Sequence, residues 1–144
     1  SFARALGPSV EKLLLNGNKV TSVPAGTFTN ATGMMEIDLD GNAITDFDMS
    51  NIQYMPQLTR LRLWNNQLTK VKDAYAYCRG VSCTGLRIDL GSNPLPCDKN
   101  ICWAKITTTI TVTNDACSGV SWNSVTVDHL ACPTSMYIFF IVWH

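Results

Sequence analysis

The chain has 144 residues, of which 46% are hydrophobic and 15% charged, and 11 cationic residues balance 11 anionic ones to a formal net charge of zero. That length suits one domain with a continuous core, and the neutral balance, without a basic run interleaved with aromatics, argues against nucleic acid as a partner. Six cysteines in so short a chain point to an oxidising compartment.

The opening SFARALGPS lacks the apolar run of a secretory signal, so the chain reads as already processed or truncated. From Val10 a frame begins. Counting back from Asn18, apolar residues sit eight, five and three positions earlier (Val10, Leu13, Leu15), and Val20 sits two positions later. Met34, Ile37, Leu39, Asn42 and Ile44 fill the same frame, as do Leu58, Leu61, Leu63, Asn66 and Leu68. A fourth copy, Ile88, Leu90, Asn93 and Leu95, departs only in its first slot, where Gly85 stands and Leu86 follows one place late. The asparagines are 24, 24 and 27 residues apart. A helix would need apolar residues near i, i+3, i+4 and i+7. Leu58, Leu61 and Leu68 can be forced onto that stripe, but Leu63 falls off it and Asn66 is left without a role.

Alternation at positions such as Leu61 and Leu63 predicts a short strand with both side chains on one side. A lone strand cannot bury that side, so successive copies are expected to stack into a parallel sheet over a shared interior. Each asparagine marks a turn, where its amide can satisfy backbone groups of neighbouring coils; Asn18, Asn42, Asn66 and Asn93 are expected to form a buried ladder. Between strands, VTSVPAGTFTN places Val20, Val23 and Phe28 towards the convex side, and Pro24 and Gly26 favour a loose turn or short 3₁₀ piece over a full helix. The third unit carries a bulge, VKDAYAYCRGVSC, three residues longer and holding Cys78 and Cys83.

The frame LxxLxLxxNxL, running from about Val10 to Leu95, resembles the leucine-rich repeat family. The resemblance implies an α/β-type solenoid: a right-handed coil with a short parallel β-sheet on its concave face and an irregular or 3₁₀ convex side. After the last repeat asparagine come NPLPCDKNICWAK, NDACSGV and LACP. The Asn-Pro pair, the two neighbouring cysteines and Trp103 resemble the cysteine-bounded C-terminal cap of secreted and cell-surface members. The family's pairing would join Cys97 to Cys117 and Cys102 to Cys132, although four residues separate the first two cysteines where such caps often have one. Cys78 and Cys83 would then pair with each other. Six cysteines permit many connectivities, and zinc is the competing reading, but no histidine lies near them and C-x₂-C spacing is absent. The expected organisation is repeats over 1–93, a disulfide-closed cap over 94–133 and an apolar tail over 134–144.

Asn30-Ala31-Thr32 is a glycosylation acceptor sequence on a convex-side loop. Extracellular members usually have an N-terminal cysteine cap too, but no cysteine precedes Cys78, which leaves the apolar edge near Leu6, Val10, Leu13 and Leu15 poorly covered. The tail Met136, Tyr137, Ile138, Phe139, Phe140, Ile141, Val142 and Trp143 is apolar throughout, yet far short of the ~20 residues that cross a bilayer. Membrane association follows only if it is the start of a truncated anchor. Otherwise it is a candidate self-association segment that packs on the open edge of another copy, and head-to-tail contact of that kind builds homo-oligomers or filaments.

Little supports catalysis. The only histidines are His129 and His144, no phosphate loop or HExxH is present, and no cofactor or metal is expected. Glu36, Asp38 and Asp40 could suggest calcium, but they alternate with Ile37 and Leu39 as one strand's outer face. With the aliphatic positions inside, the outward residues form columns. Lys12, Glu36, Arg60 and Arg87 make the first, Leu14, Asp38, Arg62 and Asp89 the second, and Asn16, Asp40 and Trp64 the third. Lys12–Glu36–Arg60 in the first and Asp38–Arg62–Asp89 in the second alternate in sign and could merely neutralise themselves. An exposed Trp64 beside Arg60 and Arg62 has the composition of an interface hot spot, so the expected function is recognition of a protein partner through this face.

Overall fold

The structure is a computed structural model that describes residues 6–72, 85–106, 110–113, 115–117 and 119–133. The alternating aliphatic pairs become strands β1 (Lys12–Leu14), β2 (Glu36–Asp38), β4 (Arg60–Arg62) and β6 (Leu86–Asp89). All pair in parallel with one register, so that Leu13, Ile37, Leu61 and Ile88 stand side by side. A fifth strand, β7 (Ile110–Val112), joins β6 and brings Val112 beside Ile88. The concave sheet therefore extends into the stretch assigned to the cap.

The interior is dry. Ile37, Leu61, Leu63, Ile88 and Leu90 are inaccessible, and Phe28, Phe47 and Ile52 close on them from the convex side. That side carries more regular structure than loose turns. Strands β3 (Asp46–Asp48) and β5 (Lys70–Lys72) form a second, two-stranded parallel sheet, with Phe47 beside Val71 and carboxylates opposite lysines on both flanks. A 3₁₀ helix, Met49–Tyr54, follows β3 and is capped by the Asp48 carboxylate, which accepts from the Ser50 N–H at 2.9 Å. Burial opposes ionisation of Asp48, but the Ser50 N–H, the Ser50 hydroxyl and Lys72 outweigh it and hold its carboxyl below the usual range. Its stabilising contribution is present above the ordinary aspartate range and is lost as pH falls through the depressed value.

The asparagines tie coil to coil. Asn42 Nδ2 donates to the carbonyls of Leu15 (3.0 Å) and Leu39 (2.9 Å), while its Oδ1 accepts from the Val20 N–H (3.0 Å). Asn66 repeats this one coil on, to Leu39, Leu63 and Ile44. Asn93 Nδ2 reaches Leu63 and Leu90, and its Oδ1 accepts from Leu68. The ladder was expected to include a buried Asn18, and here the structure differs. Asn18 is exposed and bonds only carbonyls of its own coil, Leu15 and Asn16, because among the described residues no coil packs on its outer side. The residue before each asparagine (Gly17, Gly41, Asn65, Ser92) has positive φ, the left-handed turn that starts each return.

The C-terminal cap closes the far end of the interior. Cys97 bonds Cys117 and Cys102 bonds Cys132, the connectivity the family resemblance implied. Trp103, on the short helix α1 (Cys102–Ile106), is fully buried. The Lys105 ammonium sits 4.5 Å from the centroid of the Trp122 ring and donates to the Trp122 carbonyl at 2.7 Å; burial pushes its pKa down. Cys78, Cys83 and the tail from Met136 to Trp143 lie outside the described residues.

Among the described residues, the opposite end is uncovered. Leu13, Leu15, Val20 and Val23 are only partly buried, and with Phe28 and Leu39 they line an apolar cleft of about 500 Å³. The segment leading into β1 is held at Gly33, where a β-carbon would overlap the Pro8 carbonyl oxygen. Backbone atoms cannot swing aside as a side chain can. Gly33→Ala is therefore expected to lower unfolding free energy by about 1–3 kcal/mol, read as a reduced melting temperature. An unchanged melting temperature would show that this segment does not contribute to the cooperative unit.

Candidate protein-binding face

The columns expected from strand alternation are present, but they do not all face outward. Leu14, Asn16, Arg60, Trp64 and Arg87 are exposed, whereas Asp38, Asp40 and Asp89 retain only 6–8% of their accessible surface. The reason is Arg62. Its guanidinium lies along the sheet and bonds Asp40 at 2.8 Å and Asp38 at 3.2 Å, with Asp89 at 3.7 Å. Arg60 (3.6 Å) and Arg87 (3.3 Å) also turn towards Asp89. In the first column Lys12 meets Glu36 at 3.6 Å, while Arg60 has left that column for Asp89. Adjacent strands about 4.8 Å apart make such reach between columns possible.

Asp40 serves the backbone as well, accepting from the Trp64 N–H at 2.8 Å. Burial pushes its carboxyl up, Trp64 and Arg62 pull it down, Asp38 and Asp89 push it up again, and the net direction is upward. A raised acid favours the protonated folded form. Its contribution is greatest below the ordinary aspartate range and shrinks as pH rises through the folded value. Arg60, Arg62 and Arg87 with Asp38, Asp40 and Asp89 thus form a self-neutralising layer that supports the sheet. The large apolar group left exposed in the middle of the face is Trp64, at 45%.

Three further residues belong to this surface and were not singled out from the sequence. Beyond Asp89 the third column continues through Gly91 to Asp115, and the second through Thr113. Together with Arg62, Trp64 and Asp89, Thr113 and Asp115 line a depression of about 370 Å³. The alternation of Ile110 and Val112 was the available signal, since it marks one more strand in the same register. His129 is exposed and takes part in a local turn, where its Nδ1 accepts from the Thr126 N–H. Among the described residues, no three His, Cys, Asp or Glu side chains are grouped to hold a metal ion.

Four coils, one register and an asparagine ladder define the unit, and residues 8–74 match the leucine rich repeat family model. The coils have the leucine-rich repeat fold. Mouse (Mus musculus) prolargin is 36% identical over 67 residues, which are 46% of this chain and 18% of prolargin. Human (Homo sapiens) podocan-like protein 1 is 36% identical over 69 residues, 46% of this chain and 14% of its own. A zebrafish (Danio rerio) leucine-rich repeat and fibronectin type III domain-containing protein 1-like protein is 25% identical over 105 residues, 67% of this chain and 15% of its own. The chain thus spans less than a fifth of the length of these relatives. Among solved structures, human 5T4 (Wnt-activated inhibitory factor 1, trophoblast glycoprotein) superposes with a TM-score of 0.60 at 20% identity, covering 85% of this chain and 47% of 5T4. That likeness carries the leucine-rich repeat fold across both the coils and the cap.

Proposed function

We propose that this chain is a non-enzymatic, extracellular protein-recognition module whose partner seats on the concave sheet. The observation that carries the reading is Trp64. A large indole stands exposed in the middle of a face whose other charges are mostly occupied with one another, and such aromatic–arginine groupings dominate binding energy at interfaces. The two disulfides of the cap agree with an extracellular setting. Asn30, exposed on the convex side, is the proposed glycan site, which would leave the sheet free for contact. Screening the purified chain against arrayed secreted and cell-surface ectodomains tests this. Specific partners should be lost by Trp64→Ala combined with Arg87→Ala and kept by Lys19→Ala, away from the sheet. Partners indifferent to the double substitution would place recognition elsewhere.

A second reading, a structural subunit that assembles through its N-terminal edge, is favoured by the apolar cleft at Leu13, Leu15, Val20 and Val23 and by the edge of β1, which is unpaired among the described residues. Sedimentation of the chain with and without residues 134–144 separates the two. Equal monomeric mass for both removes self-assembly.

A further inference from the structure

The depression between β4 and β7 has a chemistry of its own. Gly91 carries no side chain where the third column would otherwise place one between Trp64 and Asp115. A β-carbon on Gly91 would overlap the Asp115 carboxylate, which lies folded over that glycine. One wall is the exposed Trp64 indole, and the other is made by Thr113 and Asp115. The charges around it differ in how far they are spent. Arg62 is committed to Asp38 and Asp40, and Asp89 is shared by Arg60, Arg62 and Arg87. Thr113 Oγ1 already accepts from the Leu90 N–H at 3.2 Å. Asp115 is exposed and makes no hydrogen bond or ion pair among the described residues.

We infer that this depression receives an arginine side chain of a protein partner, its guanidinium stacked on Trp64 and paired with Asp115. A carboxylate without a partner among the described residues, beside an aromatic face, selects a cation, because the ring's negative face and the carboxylate attract the same charge. Arginine fits better than lysine: its planar group can lie flat on the indole while directing two parallel N–H groups at the carboxylate. An anion would meet Asp89 and Asp115 with no uncommitted cation lining the depression. The inference rests on reading the concave sheet as the recognition face and specifies what that face accepts.

The test uses the whole chain and three short peptides, acetyl-Gly-Arg-Gly-amide and its lysine and citrulline counterparts, with the Trp64 indole N–H followed by NMR. The resonance is assigned by its disappearance in Trp64→Phe. The arginine peptide should shift it saturably. Citrulline, equal in shape but neutral, should bind at least about tenfold more weakly, and lysine should fall between. Asp115→Asn, a substitution on an exposed side chain, should weaken the arginine peptide by about tenfold while leaving the melting temperature unchanged. Absence of a saturable shift, equal binding of arginine and citrulline, or indifference to Asp115→Asn would overturn the assignment. So would a neutral sugar that shifts the indole where the arginine peptide does not. Any of these results beside a partner still lost by Trp64→Ala with Arg87→Ala would sink the arginine pocket and keep the concave face. The reverse would keep the pocket and sink that reading.

Discussion

Asn66→Ala is expected to lower the unfolding free energy by about 2–4 kcal/mol, comparable to truncation of a core leucine, because one side chain serves three buried backbone groups. Its Nδ2 donates to Leu39 (3.0 Å) and Leu63 (3.1 Å), and its Oδ1 accepts from the Ile44 N–H (3.1 Å). Alanine orphans the Ile44 N–H in a space that excludes bulk water, at a cost of about 1–3 kcal/mol, and takes one of two donors from each of the Leu39 and Leu63 carbonyls, which Asn42 and Asn93 still serve. The same substitution at Asn18 serves as the internal reference. Asn18 is exposed and bonds only its own coil, so water replaces what alanine removes, and the cost should stay below about 1 kcal/mol. Urea unfolding of the two variants reads the contrast directly. Equal losses would mean that the ladder's bonds between coils contribute nothing beyond a local turn.

Arg62→Ala is expected to cost about 2–4 kcal/mol near neutral pH, and the cost should shrink on acidification. The guanidinium holds Asp38 and Asp40 by direct ion pairs and lies 3.7 Å from Asp89. Removing it leaves nearly inaccessible carboxylates facing one another, which is where breaking an ion pair is most damaging. The figure is kept below that of a fully buried pair because the Arg62 side chain is 35% exposed and partly screened by solvent. The sign of the pH dependence follows from Asp40, whose carboxyl is already pushed up by burial. Without its cation it is pushed further, and protonation relieves both desolvation and repulsion. The variant therefore regains stability relative to the parent as pH falls towards about 4, the ordinary aspartate value. Denaturation curves of both proteins at pH 7 and pH 4 check this. A gap that is the same or wider at pH 4 would contradict the role given to Arg62.

These two residues show how differently parts of the molecule could be read. Asn66 is legible because its role depends on a repeat of about 24 residues. Leu61, Leu63 and Asn66 stand at fixed offsets within one coil, and the neighbouring coils carry the same offsets, so stacking them in register follows from period alone. Arg62 is only half legible. Alternation puts it on the outer face with Asp38 and Asp89, yet it does not say that the guanidinium lies down on all three carboxylates and takes them out of solvent. That depends on the separation of strands and on rotamers, which are properties of neighbours 24 and 27 residues away. The convex sheet was overlooked for a related reason: Asp46-Phe47-Asp48 and Lys70-Val71-Lys72 each bury a single residue, and their pairing of opposite charges has meaning only once the coils are stacked.

By itself, then, the sequence determined the coil. A local alternation of aliphatic residues, a turn-forming asparagine and a constant period are sufficient, since each coil can bury its apolar side only against the next. It also placed the cysteines that close one end. The tertiary structure decided what is accessible. Asn18 is open to water because no described coil covers it, and Asp38, Asp40 and Asp89 are hidden because Arg62 spans the strands between them. Asp115 comes to line a depression with Trp64 because the strand Ile110–Val112 docks beside β6 and Asp115 lies across Gly91. Exposure is a relation between segments distant along the chain, and it is settled only when they pack.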